Sequence, residues 1–334
     1  MKSSGVLVIL AMVGGGLAAA HRPVNGTVWT ANRGAHSVAA FDAATGDLIR
    51  TVPMAAGSQP GDLAYAKGKV YVAEEFGTPP AIAILDADTG ALLQRISFSA
   101  GARPHHVHAT TGGNLVAVGL FGTDRVAVID TEDDRLLGEW DSNDATTSGR
   151  IHAGVFSPDG NTLYLANEAS GELVAMDPRS GAVAWRLPVP QIHELIVTHD
   201  GKTAYVTRRT ANRLAVVDLE TPAYADILAL GLPDTLALSA NEKLLTVGLR
   251  ISPARLAVVD TESLAVTLVQ LSAGDESNTI GGHQWTSPSG RFTFASFEGG
   301  VQPGLAVIDH REGHAVAQRL PYAGRPHGVD YSPK

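Results

Sequence analysis

The chain has 334 residues, 44% apolar and 18% charged, which is enough for a sizeable buried core. Its 36 glycines and 6% aromatic content favour many short strands joined by tight turns over a helical fold. A net charge of −9 with no run of lysine or arginine argues against nucleic acid as a partner. With no cysteine, disulfides, thiolate metal ligands and lipid attachment at a cleaved terminus are excluded.

Residues 1–20 read as a cleavable export signal. Lys2 is followed by an apolar segment from Val6 to Val13, three glycines and Leu17-Ala18-Ala19-Ala20. That segment is shorter than the roughly 20 apolar residues needed to span a bilayer. The mature chain is then a single domain over 21–334, periplasmic or secreted. It begins at His21, whose amine and ring could together hold copper, although a histidine there has no need of a function.

One phrase then recurs along the chain, an apolar tetrad ending in aspartate. It first appears as Val38-Ala39-Ala40-Phe41-Asp42 and ends as Leu305-Ala306-Val307-Ile308-Asp309. Its aspartates, at 42, 86, 130, 177, 218, 260 and 309, stand 44, 44, 47, 41, 42 and 49 residues apart. This is the period of a four-stranded propeller blade. The fullest copy predicts an innermost strand over Ala153–Ser157, a Pro158-Asp159-Gly160-Asn161 hairpin and a second strand over Thr162–Ala166. A third strand follows over Glu172–Met176 and a fourth over Ala182–Leu187. The recurrent aspartates suit turns in which the carboxylate accepts from nearby backbone amides.

The termini complement one another. The mature chain starts on a second strand, Gly26 to Ala31, and ends on an innermost one, Arg325-Pro326-His327-Gly328-Val329-Asp330-Tyr331. The prediction is an all-β, seven-bladed propeller of four-stranded blades, closed by the C-terminal strand pairing with the N-terminal blade. Ser157-Pro158-Asp159-Gly160, the strands Val70-Tyr71-Val72-Ala73 and Leu163-Tyr164-Leu165-Ala166-Asn167, and the turns at Asp42 and Asp86 resemble the YVTN-type (YncE-like) propeller repeat family of exported bacterial proteins. That resemblance implies a fold and is silent on function.

Of the twelve histidines, several mark the entry to an innermost strand: His105 and His106, His152, His193, His283 and His327. Counting five residues back from the Ser or Thr of the hairpin lands on His152, His193 and His327, and on Asp234 in the sixth repeat. His283 and the His105-His106 pair fall within a residue or two of that point. The second repeat breaks the pattern with Pro60-Gly61-Asp62. Innermost strands line the channel, so their first residues converge on its axis. The loops from second to third strands open on the same face and bring Glu75, Glu168, Arg209, Arg250 and Glu298. Imidazoles ringed by carboxylates and guanidiniums suit a metal ion, copper or zinc, or a small anionic ligand. The competing account is a histidine repeated for a hydrogen bond between blades.

Pro104-His105-His106-Val107-His108 and Pro326-His327-Gly328-Val329 are similar to histidine motifs of the copper-cluster propeller of nitrous oxide reductases. The resemblance implies that His105, His106 and His327 are metal ligands. It does not extend to that enzyme's reaction, since the chain has no cysteine. The haem propellers of nitrite reductases share only residue type. No nucleophile elbow, phosphate loop, dinucleotide fingerprint or His-Glu-x-x-His helix is present in the sequence. Three functions therefore fit: a metal-binding propeller, a metal-dependent lyase or lactone hydrolase on a small anion, and an envelope or cell-surface module that binds a protein partner.

Overall fold

Each recurring tetrad is the third strand of a blade, and its side chains are buried on both faces because the blade is stacked between two neighbours. This is why the tetrads are continuously apolar instead of alternating. The outermost strands, such as Leu48–Pro53 and Leu92–Ser97, are largely exposed. A computed structural model describes residues 24–142, 150–273 and 278–334. The export signal read at residues 1–20, and His21, lie outside them.

Among the described residues, 28 strands form seven antiparallel four-stranded sheets, and apart from two short 3₁₀ turns there is no helix. Blade 1 combines the C-terminal strand Pro326–Pro333 with Gly26–Asn32, Ser37–Asp42 and Leu48–Pro53, so the last strand of the chain closes the ring. The indole of Trp29 donates to the Ser332 hydroxyl across that closure at 3.0 Å. The core is distributed as seven apolar clusters, each filling the space between two adjacent blades. The turn aspartates act locally. Asp42 accepts from the amides of Ala44 and Thr45 at 2.9 and 3.0 Å, and Asp86, Asp177, Asp218 and Asp260 repeat the arrangement.

The innermost strands share one irregularity. In five blades two residues stand opposite one on the second strand. These pairs are Gly61-Asp62 across from Ala73, His105-His106 from Gly119, Asp234-Thr235 from Gly248, Gly282-His283 from Ser296, and His327-Gly328 from Ala31. In blades 4 and 5 a single surplus residue, His152 or His193, interrupts the ladder. Each is a β-bulge, which adds twist and re-aims the side chain of the extra residue. The bulges fix the register of the channel histidines. His106 and His283 are second in their pairs, whereas His105, Asp234 and His327 are first.

Small residues surround the bulges because the backbones there approach closely. A Cβ added to Gly328 would stand 2.4 Å from Asp62 Oδ1 and 2.6 Å from Asp62 Cα. Gly328→Ala is expected to lower unfolding stability by about 1–3 kcal/mol in denaturant titration, the usual cost of overpacking a tight site. A variant as stable as the parent would show that this approach is not tight.

Candidate functional site at the channel mouth

Six imidazoles from five blades meet on the axis. The ring centroids of His152 and His193 are 3.6 Å apart, those of His106 and His152 4.3 Å, and those of His106 and His283 4.5 Å. His283 and His327 are separated by 4.5 Å, and His105 lies 4.9 Å from His152 and 5.1 Å from His106. The other two blades contribute Asp62 and Asp234. All but His105 are buried. These rings border a cavity of about 460 Å³ whose lining also includes Arg33, Phe121, Glu168, Arg209 and Arg250.

Burial costs an imidazolium its hydration, so most of these rings are held neutral. It pushes His105 down to about 4 and His283 down to about 3 against the pull of Glu75 and Asp62, and depresses His152 and His327 well below the ordinary range. Two rings go the other way. Burial opposes charge on His193, but Asp234 Oδ1 sits 2.7 Å from Nε2 and Glu168 Oε1 meets Nδ1, so the pKa is raised. His106 is raised in the same manner, its Nε2 standing 3.8 Å from Glu194 and its Nδ1 3.3 Å from Asp62.

Three donor sets have ligand atoms all within 4.8 Å of one another: His105, His106 and His152; Asp62, His106 and His283; and His152, Glu168 and His193. Ligands on one tetrahedral ion stand roughly 3.4 Å apart for bonds of about 2.1 Å, so small side-chain rotations would close each set. Two imidazole nitrogens in these sets, His152 Nδ1 and His283 Nε2, are buried without a hydrogen-bond partner. Neutral imidazole with a free lone pair is the ligating form.

The loop residues form an ionic collar in two tiers. Glu168, Arg209 and Arg250 line the cavity. Arg209 donates to Asp234 Oδ1 at 2.9 Å and to Glu168 at 3.4 Å, and Arg250 reaches Glu298 at 3.4 Å. Glu75 and Glu298 do not line the cavity but lie behind it as buried counter-ions. Glu75 is 3.0 Å from Arg33, 2.6 Å from Arg103 and 3.3 Å from His105, and Glu298 accepts from Arg325 at 2.7 Å. Burial would raise the Glu75 pKa, but His105, Arg33 and Arg103 hold it at about 2.

Sequence spacing passed over three participants. Asp62 occupies the same bulge as the histidines, but its hairpin is the short Lys67-Gly68 turn, which offers no Ser or Thr from which to count. Glu194 follows His193 and would point away in a regular strand. Phe121 packs against His105 at 5.2 Å, with the guanidinium carbon of Arg103 5.1 Å from the centre of its ring. His199 is exposed, whereas His36, His310 and His314 are half-buried. His310 is covered because its Nε2 meets the Thr293 hydroxyl at 2.8 Å and its Nδ1 meets His314 Nδ1 at 2.9 Å.

Residues 34–194 and 122–279 match the sequence pattern of the family described as outer membrane protein assembly factor BamB, and together they span more than half of the chain. The chain belongs to this family. Solved propellers resemble the BamB-type chain in fold. Hydrazine synthase of Kuenenia stuttgartiensis aligns with a TM-score of 0.69 at 18% identity, over 91% of this chain and 99% of that one. The periplasmic gluconolactonase of Pseudomonas aeruginosa aligns with a TM-score of 0.68 at 19% identity, over 92% and 98%. Dihydro-heme d1 dehydrogenase aligns at 0.65 and 17% identity, over 93% and 75%. No curated protein sequence matches the chain. No helix among the described residues is long and apolar enough to cross a membrane.

The depressed Glu75 pKa makes a stability prediction for the metal-free protein. A carboxylate held at about 2 when folded, against about 4.5 unfolded, contributes fully above pH 4.5 and loses that contribution as pH falls towards 2. Glu75→Gln should therefore cost about 2–4 kcal/mol at pH 7 in denaturant unfolding. The gap to the parent should shrink between pH 4.5 and 2. Equal stabilities at pH 7 would contradict the assignment.

Proposed function

We propose that the protein is an exported propeller that binds a transition-metal ion, copper or zinc, in the histidine ring at its channel mouth. The observation that carries this is the convergence of buried imidazoles and carboxylates in three donor sets, with His152 Nδ1 and His283 Nε2 left without a hydrogen-bond partner. A histidine repeated only to bond neighbouring blades would have its nitrogens spent on backbone or side-chain partners. His327 fits that structural role, with Nδ1 at 3.0 Å from the Gly61 carbonyl. His152 does not, because its Nδ1 has no partner. An all-nitrogen and oxygen donor set without thiolate suits both Cu(II) and Zn(II). His105, His106, His152 and His193 with Glu168 are the ligands this reading favours. Asp234 then orients His193, a carboxylate–imidazole–metal relay common in metal sites.

A metal-dependent enzyme is the second reading, favoured by Arg33, Arg209 and Arg250 lining the same cavity. Arg209 or Arg250 would hold the carboxylate of a small anionic substrate and a histidine would act as general base. The gluconolactonase likeness is compatible with lactone hydrolysis but is a likeness of fold. Export to the periplasm or beyond rests on residues 1–20. The YVTN-type and copper-cluster resemblances remain properties of the motifs Leu163-Tyr164-Leu165-Ala166-Asn167 and Pro104-His105-His106-Val107-His108.

Every donor set contains His106 or His152. The protein, stripped with chelator, loaded with Cu(II) or Zn(II) and desalted, should retain at least one equivalent. His106→Gln/His152→Gln, folded by circular dichroism, should retain less than about a tenth of that. Retention unchanged by the double substitution, or no retention by the parent, would overturn the proposal.

A further inference from the structure

The channel is divided. Beyond the histidine ring, towards the hairpin ends of the innermost strands, lies a second chamber of about 470 Å³. His106 and His283 line both chambers and form the partition between them. The two sides differ in charge. The mouth carries three guanidiniums, whereas no arginine or lysine lines the inner chamber, whose carboxyl and imidazole groups are Asp62, Glu194 and Asp330 with His106, His108 and His283.

At the partition, Asp62 takes both rings by their Nδ1 atoms, His106 at 3.3 Å from Oδ2 and His283 at 3.4 Å from Oδ1. These three side chains are a complete two-histidine, one-carboxylate donor set, and they share no residue with His152, Glu168 and His193 on the mouth side. Two buried polar atoms there have no hydrogen-bond partner: His283 Nε2, and Oε2 of Glu194, a residue only 8% exposed that lines the inner chamber. Glu194 Oε2 stands 3.8 Å from His106 Nε2. An unpaired carboxylate oxygen buried beside an imidazole is costly unless a cation or a proton meets it.

We propose that the channel holds two divalent metal ions, one bound by His152, Glu168 and His193 at the mouth and a second by Asp62, His106 and His283 at the partition, with Glu194 beside it. This rests on the metal-binding reading above and adds the number and position of the ions. Either triad leaves coordination positions open, as two-histidine, one-carboxylate sites do. His105 lies between them, within donor range of His106 and His152, and is placed to bridge the two halves of the cluster. The carboxylate-lined chamber offers cations a route to the inner position that avoids the arginines of the mouth.

The test uses the full mature chain and Zn(II) alone, with metal content measured after stripping, loading and desalting. The parent should retain two equivalents. His283→Gln touches only the inner set and His193→Gln only the outer, so each should retain one, whereas His106→Gln/His152→Gln, which breaks every donor set, should retain none. Glu194→Gln, nearly isosteric and outside both triads, should weaken the inner ion at least tenfold in competition titration while sparing the outer. A parent that retains a single equivalent would overturn the two-ion proposal and leave the metal-binding reading intact, as would a second equivalent that survives His283→Gln. A parent that retains none would overturn both.

Discussion

Each innermost strand holds one residue more than the strand beside it, and the surplus side chain is turned towards the propeller axis. The rest of the site depends on this constraint. A regular strand sends alternate side chains to the two faces of its sheet, both of which are filled by neighbouring blades. Only where the ladder slips can a side chain escape to the channel without leaving a hole in the packing. Seven bulges at one level therefore make a ring, and blades of one design supply it from residues more than two hundred positions apart, such as Asp62 and His283. The cost is close backbone approach, which is why Gly119, Gly248, Gly282 and Gly328 surround the bulges.

Electrostatics then sort what the bulges gather. Burial strips hydration from the imidazoles and keeps most of them neutral, while Asp62 and Asp234 remain ionised because they are held by imidazoles and, for Asp234, also by Arg209 and Arg250. Glu75 pairs with Arg33 and Arg103, and Glu298 with Arg250 and Arg325, so the collar is bound more to itself than to solvent. Such a site is preorganised: its donors are fixed by backbone register and ion pairs before any ligand arrives.

The repeat was legible because its signals are local. The Asp turn needs only its own carboxylate and the two amides that follow, and a tetrad buried on both faces reads as an unbroken apolar run whichever blade it belongs to. Ring closure was legible from an N-terminus without an innermost strand. The site was legible only in part, because bulges leave no local mark. Counting from the hairpin reached His152 and His193, yet it could not see Asp62, whose turn is shorter, nor Glu194, which strict alternation sends the wrong way. Glu75 and Glu298 carried the right charge in the right loops, but whether they face the cavity or back its wall depends on arginines up to 48 residues distant. Phe121 joined only through folding, with nothing in its own segment to mark it.

On the proposed reading, metal resides in the histidine ring and not on the surface. Anomalous diffraction from crystals of the zinc- or copper-loaded protein tests it directly. A strong peak is expected within about 2.0–2.3 Å of imidazole nitrogens of the ring, including His152. The half-buried His310–His314 pair outside the channel, whose Nδ1 atoms are 2.9 Å apart, serves as an internal control for adventitious binding. Peaks confined to that pair, with the channel empty, would contradict the claim and return the ring to a structural role.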